Sequence, residues 1–208
     1  RLAREHVTVV LSGDGGDEVF AGYNVYNFAR WLRLIEKTAG PLLTSQFAGT
    51  ALEAMRFRTT SRVGNLARRL RKIRRLIVSS PSLRIGLMGN LSDFEGQLLL
   101  NQNARGAQII PEYVAAFERA ACDGDWLRPY LYADIKTLLP DEMFTKLDRM
   151  TMANSMEGRV PLVDHRIVEL AARIPSRYKL KHGQVKAIFK RAVADRLPQE
   201  VLNRPKVG

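Results

Sequence analysis

The sequence predicts that the 208 residues of this chain are mostly α-helical, with one or few parallel strands. Residues 7–11 form a short β-branched run, which is typical of a strand buried on both faces. A glycine-rich turn follows at residues 12–16, and helical spacing of the apolar residues begins at Asp17. No second strand is evident downstream. Because one strand is not stable alone in water, its neighbours must come from segments interpreted here as helix or loop, or from chain outside these residues.

The composition is that of an ordinary globular protein, with 46% hydrophobic and 26% charged residues. No apolar run approaches the ~18 residues of a membrane-spanning helix, so no membrane partner is expected. The single cysteine, Cys122, excludes an intrachain disulfide and fits a reducing cytosol. The three histidines lie too far apart for a local zinc-binding pattern. We therefore expect a cytoplasmic protein.

Most of the chain after the glycine turn has the apolar periodicity of amphipathic helices. Gly40 and Pro41 are expected to end the first helix, residues 57–65 to form a basic loop, and Asp164 to cap the helix that follows it. The predicted helices cover residues 17–37, 42–55, 66–78, 81–100, 111–121, 126–138, 165–173 and 185–197, and another opens at 139.

The positive charge is concentrated in one stretch. The net charge is +12, and residues 56–75 contain nine basic side chains and no acidic one. Such a basic helical stretch can bind nucleic acid or an anionic membrane, or it can be a solvated surface helix whose arginine stems cover apolar neighbours. No aromatic residue is interleaved with the arginines after position 58, which leaves bases no stacking platform and favours the surface helix. A nucleic-acid-binding module is the alternative from a different functional class, and no nucleic-acid partner is expected.

The glycine turn has features that favour phosphate binding, but it also contains three acidic residues. Glycines let the backbone come close to a bulky ligand, and a helix start favours an anion. Carboxylates at Asp14, Asp17 and Glu18 would repel a phosphate unless a hard cation lay between them, which suggests Mg²⁺. In the alternative interpretation, Asp14 or Asp17 caps the helix and the glycines only turn the chain.

Two blocks of the sequence resemble the glutamine-dependent asparagine synthetases. Residues 12–23, Ser-Gly-Asp-Gly-Gly-Asp-Glu-Val-Phe-Ala-Gly-Tyr, resemble the second nucleotide-site motif of that family. Residues 138–206 resemble a second family segment. Its motifs here are Leu-Pro at 139–140, Lys-Leu-Asp-Arg at 146–149, Glu-Gly-Arg-Val-Pro at 157–161, and Asn-Arg-Pro-Lys at 203–206. Together the blocks cover about 85 residues in the family order.

Several residues of the second block also have a purely structural interpretation. Asp148 and Arg149 could be ordinary surface charges, because they point about 100° apart on a helix. Glu157 and Arg159 could form an ion pair across the glycine between them. By composition alone Lys186 is a solvated lysine, and only the resemblance places it at a nucleotide site.

The resemblance implies an α/β parent fold, that of an adenine nucleotide alpha hydrolase-like domain of the PP-loop ATP pyrophosphatase type. Its implied activity is that of a ligase and amidotransferase that uses ATP and Mg²⁺. It makes asparagine from aspartate and glutamine-derived ammonia through a β-aspartyl-adenylate. Relatives that amidate another acid or close a ring use similar chemistry and stay open as an alternative. The family's glutaminase domain and first phosphate loop, Ser-Gly-Gly-x-Asp-Ser, do not occur in residues 1–208. We therefore expect a partial synthetase domain that alone does not make asparagine, from an enzyme that could form a homodimer at full length.

The resemblance also implies roles for individual residues. Asp17 is expected to bind Mg²⁺, Asp14 to position or deprotonate ammonia, and Lys186 to stabilise charge on the α-phosphoryl group. Residues expected to contact ATP or the adenylate are Ser12, Gly13, Gly15 and Gly16, with Asp148 and Arg149 on the wall of the site.

Overall fold

The computed structural model describes residues 2–54, 62–88, 111–121 and 124–204. The chain divides into two compact units, one made of Arg1–Tyr26 with Pro111–Gly208 and the other of Asn27–Ile110. The predicted mostly helical composition with few parallel strands is confirmed. Among the residues that the structure describes, no helix is both long enough and apolar enough to span a bilayer.

The described elements follow one another along the chain in this order: a 3₁₀ turn (Leu2–Glu5), β1 (Val9–Leu11), α1 (Gly16–Phe20), α2 (Asn24–Thr44), α3 (Gln46–Ala54), α4 (Arg62–Val78), α5 (Pro81–Met88), α6 (Pro111–Ala120), α7 (Arg128–Lys136), a π-helix (Leu139–Phe144), α8 (Thr145–Met152), β2 (Glu157–Arg159), a 3₁₀ turn (Pro161–Val163), α9 (His165–Arg173), α10 (Ser176–Lys179), α11 (Ala187–Ala192) and α12 (Gln199–Asn203).

The strand β1 pairs in parallel with β2, a strand that the sequence pattern did not reveal. Val9 lies opposite Glu157 and Leu11 opposite Arg159. The predicted ion pair between Glu157 and Arg159 is present, with 2.8 Å between Oε1 and Nε. The Glu-Gly-Arg sequence of this segment has a low intrinsic preference for a strand. The segment is nevertheless a strand, because its backbone forms hydrogen bonds with β1.

The prediction that β1 is buried on both faces is wrong for this structure. Val9 is 37% exposed and Leu11 74% exposed. Within the described ranges β2 is the only strand that pairs with β1. A parallel strand with one neighbour has little packing over its faces, so the apolar run of residues 7–11 remains largely in contact with solvent.

The first predicted helix is two helices in the structure. Ala21 adopts a left-handed conformation (φ 62°) that ends α1, and α2 begins at Asn24. The predicted stop at Gly40 and Pro41 is wrong, because α2 continues through Pro41 to Thr44. Proline removes one backbone donor, and packing of the apolar side of α2 offsets that loss.

The unit of residues 27–110 has a small core where α2 meets α4. The basic helix α4 begins at Arg62, four residues before its predicted start. Arg84 closes the end of α4, since its Nε donates to the carbonyl of Leu76 at 2.9 Å and its guanidinium pairs with Glu36 at 2.7 Å. The predictions for residues 57–61 and 89–110 lie outside the described residues. The buried residues of this core are Leu32, Leu76 and Ile77, with Phe28, Ile35, Leu43 and Ile73 packed around them.

In the other unit, the core brings α1, α9 and α11 together. Phe20 of α1 stacks on Phe189 of α11 with 4.9 Å between the ring centroids. This packing fixes the two helices on which the candidate site depends. The buried residues here are Val19, Phe20 and Ala171, with Ile135, Ile167, Val168, Ile188 and Phe189 packed against them.

Candidate functional site

The glycine loop lies between β1 and α1, as the sequence predicts. Gly15 has φ 84°, which favours glycine. A Cβ at position 15 would lie 2.1 Å from Cγ2 of Val163, in the 3₁₀ turn that follows β2. Because the two strands are parallel, the segments after them meet at the same edge of the sheet. Only glycine fits at position 15 while these segments remain in contact.

Asp17 and Lys186 form the central ion pair of the site. The Nζ of Lys186 lies 2.8 Å from Oδ1 of Asp17, and each side chain is about a quarter exposed. The helix predicted over residues 185–197 is wrong in its bounds, because α11 covers only Ala187–Ala192. Lys186 is its N-cap residue, with a left-handed backbone (φ 52°) and an N–H that donates to the carbonyl of Ala21 at 3.2 Å. This anchor holds the lysine next to α1.

Glycine at position 22 makes room for the ion pair. A Cβ there would lie 1.7 Å from Oδ1 of Asp17 and 2.3 Å from Cε of Lys186. Gly16 is also near, because a Cβ on it would lie 3.6 Å from the Nζ of Lys186. The backbone therefore packs closely against both charged side chains. In the sequence, the signal for a glycine at this position was the Gly-Tyr pair that ends the first motif.

The three acids of the loop do not converge on one point. Asp14 accepts a hydrogen bond from the Ser12 hydroxyl at 2.8 Å. Glu18 is buried, 1% exposed, and accepts from the hydroxyl of Tyr23. Asp17 alone of the three pairs with Lys186. The N-cap residue of α1 is Gly15, so the capping alternative for Asp14 and Asp17 is wrong.

The donor set limits how a metal ion could bind. Across the described parts of the chain, no three His, Cys, Asp or Glu side chains are grouped as metal ligands. Mg²⁺ commonly binds through one or two carboxylates together with substrate phosphates and water. Asp17, partly exposed beside the glycine loop, fits the protein's share of such a site.

A buried polar network that the sequence reasoning missed lies behind the loop. The Tyr26 hydroxyl donates to Asp134, and both residues are almost fully buried. Burial raises the pKa of Asp134 to about 7; the hydrogen bond from Tyr26 opposes the rise and the charge of Glu18 adds to it. The available signal was a single acid in the mainly apolar stretch of residues 130–135.

Other residues of the second block take different positions. Asp148 and Arg149 are exposed on α8, and in the described ranges neither forms a hydrogen bond or ion pair with residues 12–17. Asp164 caps α9 as predicted, because its Oδ1 accepts from the N–H of Arg166 at 2.9 Å. Hydrogen bonds from the side chain and backbone of Arg166 hold the pKa of Asp164 well below its usual value.

A glycine loop between a parallel strand and a helix, beside a paired carboxylate and lysine, is typical of sites for phosphorylated ligands. The family model for asparagine synthase matches residues 1–208. The chain therefore belongs to the asparagine synthase family.

Individual relatives agree with the family match. The chain is 31% identical over 208 residues to asparagine synthetase [glutamine-hydrolyzing] 1 of Bacillus subtilis, covering 99% of this chain and 31% of that protein. It is also 31% identical over 212 residues to a putative asparagine synthetase [glutamine-hydrolyzing] of Mycobacterium tuberculosis, covering 100% of this chain and 30% of that protein. The chain thus spans about a third of the length of these relatives. No solved structure matches it.

Proposed function

We propose that the protein uses ATP to activate the side-chain carboxylate of aspartate and converts it to the amide of asparagine with glutamine-derived ammonia. Family membership supports this function over the nucleic-acid-binding alternative. The single observation that carries the proposal is the Asp17–Lys186 pair at the glycine loop. The domain that contains it is proposed to have the adenine nucleotide alpha hydrolase-like fold, and the parallel pairing of β1 with β2 supports that fold.

Lys186 is the residue that would act on the first chemical step. An oxygen of the aspartate β-carboxylate attacks the α-phosphorus of ATP, the bond from that phosphorus to the bridging oxygen breaks, and pyrophosphate leaves. Negative charge builds on the α-phosphoryl oxygens during this step, and an ammonium group beside them stabilises it. Asp17 keeps the Nζ of Lys186 at the loop. From this position the ammonium group can leave Asp17 and bind a phosphoryl oxygen instead.

The glycine loop would hold the polyphosphate. The backbone at Gly13 is open, because a Cβ there would meet nothing within 4 Å. Asp17 is the residue that would hold Mg²⁺, and the ion, when bound, supplies charge neutralisation at the leaving pyrophosphate. The groups proposed to contact the phosphates and the adenylate are the Ser12 hydroxyl and the backbone of Gly13, Gly15 and Gly16.

Asp14 is proposed to serve the second step. Ammonia attacks the acyl carbon of the adenylate, the carbon–oxygen bond to AMP breaks, and a proton must leave the nitrogen. Asp14 can orient the ammonia or accept that proton, and the hydrogen bond from Ser12 to Asp14 holds its carboxylate in the loop. Asp148 and Arg149 are proposed to lie on the wall of the site.

Aspartate-dependent exchange of labelled pyrophosphate into ATP tests the first step directly in the full-length protein. We expect Lys186→Gln to lower the exchange rate about 100-fold or more, because it removes a charge aimed at the transition state. The matched control is Lys37→Gln, an exposed lysine outside the site, which is expected to exchange at the wild-type rate. Equal rates for all three proteins would refute the proposed role of Lys186, and exchange that does not depend on aspartate would refute the proposed substrate.

A further inference from the structure

A basic cleft lies on α11, away from the residues assigned to the proposed nucleotide site. It has a volume of about 340 Å³ and is lined by residues of α10, α11 and α12 and of the turn at 181–184. Lys186 is not one of the lining residues. The cleft belongs entirely to the unit that contains Pro111–Gly208.

Three cations line the cleft without a compensating acid. Lys190 and Arg191 are neighbours on α11, and Lys181 lies on the turn before it. None of the three forms an ion pair within the described part of the chain. Cations that share a concave surface raise the local concentration of anions, and an arginine fork matches the oxygens of a phosphate.

The backbone fixes Lys181 in position. The N–H of Lys181 donates to the carbonyl of Gln184 at 3.1 Å, and the N–H of Gln184 donates back at 2.8 Å. His182 and Gly183 between them have positive φ values of 49° and 81°, which close a tight turn. The cation on this turn is therefore attached to an ordered backbone and not to a long open loop.

The cleft also has an apolar part that suits a ring. Tyr178 is 48% exposed, and the Arg177 guanidinium lies over its ring at 5.0 Å from the centroid, which helps to hold the ring in place. Ile188 and Leu202 line the same cleft. A ligand that fills it would place a charged group among the cations and a flat apolar body against these side chains.

We propose that this cleft is a binding site for a small phosphate monoester that carries a flat ring. Arg191 and Lys181 bind the phosphate from two sides, and Tyr178 packs against the ring. The site is separate from the nucleotide site proposed above, and its existence does not depend on that function.

Calorimetric titration of the full chain with phenyl phosphate tests the proposal, because this probe contains both the dianion and the ring. We expect binding in the millimolar range or tighter, with weaker binding of phenol and of inorganic phosphate. Arg191→Glu and Lys181→Glu are each expected to weaken binding at least about tenfold, because each removes a charge-assisted contact. Both residues are exposed, and thermal unfolding of the variants checks that the fold is kept.

Two further variants distinguish binding in the cleft from a net-charge effect and from binding at the nucleotide site. Arg173→Glu makes the same charge change at an exposed arginine outside the cleft and is expected to bind phenyl phosphate within about twofold of the wild type. Lys186→Gln is expected to bind it normally. If Arg173→Glu lost as much affinity as Arg191→Glu and Lys181→Glu, the loss would be an effect of net charge and not of the cleft. If Lys186→Gln lost affinity, the probe would bind at the nucleotide site. Either result, or no binding to the wild type, overturns the proposal.

Discussion

Replacing Asp134 by asparagine should remove a pH dependence of stability that the buried network creates. Asp134 is 4% exposed, and the amide oxygen of asparagine can still accept the hydrogen bond from Tyr26. Burial raises the pKa of Asp134 from 3.8 to about 7 in the folded protein. The folded state therefore holds a proton that the unfolded state releases near pH 4.

The sign and size of the effect follow from this difference. The stability contributed by protonated Asp134 is fully present below about pH 4 and is lost as the pH rises through about 7. At about 1.4 kcal/mol for each pH unit, the total loss is about 4 kcal/mol, of which about 3 kcal/mol falls between pH 5 and pH 8. Asp134→Asn cannot titrate and should not show this loss.

Urea unfolding of the full chain at about pH 5 and about pH 8 measures the effect as the change in the free energy of unfolding. The wild-type protein should lose about 3 kcal/mol more between these pH values than Asp134→Asn does. Asp141→Asn, an exposed acid, is the matched control and should behave like the wild type. If Asp134→Asn and the wild type show the same change with pH, Asp134 is ionised in the folded protein throughout and the reasoning is refuted.

Two other substitutions test packing and charge elsewhere in the same unit. Gly22→Ala should lower the free energy of unfolding by about 1 kcal/mol, because its Cβ would displace the ends of the Asp17 and Lys186 side chains and weaken their ion pair. Gly13→Ala has open space and should not lower it. Equal thermal unfolding of these two variants would contradict the close packing at position 22. Lys179→Met should raise the free energy of unfolding at neutral pH by up to about 3 kcal/mol, because burial lowers the pKa of Lys179 to about 8 and its charge is costly below that pH. The gain should disappear as the pH rises from about 8 towards about 10.5, and a gain that is constant over that range would contradict the assigned cause.

The strand, glycine loop and helix at the start of the chain could be predicted because their signals are local. A β-branched run, closely spaced glycines and the onset of helical periodicity are all contained in about fifteen residues. The same holds for Asp164, whose capping role depends on the helix that immediately follows it. The exact helix ends were less predictable, since α2 passes through Pro41 and is held by its packing.

The features that the sequence did not reveal depend on contacts between distant segments. The strand β2 is Glu-Gly-Arg, which has no strand pattern and is defined by its pairing with β1. The network of Tyr26 with Asp134 joins residues 108 positions apart. The resemblance placed Lys186 at the nucleotide site, whereas composition alone indicated a solvated lysine on a helix. The left-handed backbone of Lys186 and the hydrogen bond from its N–H to the carbonyl of Ala21 depend on tertiary contacts, which no local pattern contains.

The most direct test of the central claim exchanges the two charges of the site in the full-length protein. In the double variant Asp17→Lys with Lys186→Asp, the ion pair can form again, but the ammonium group is attached to α1 and not to the N-cap of α11. If Asp17 holds Mg²⁺ and Lys186 acts on the α-phosphoryl group, both groups are displaced in the double variant. Thermal stability should then recover relative to the single variants, while aspartate-dependent pyrophosphate exchange stays at least about 100-fold below the wild type. Recovery of exchange to the wild-type rate would contradict the proposed roles of both residues, because the pair would then have only a structural role.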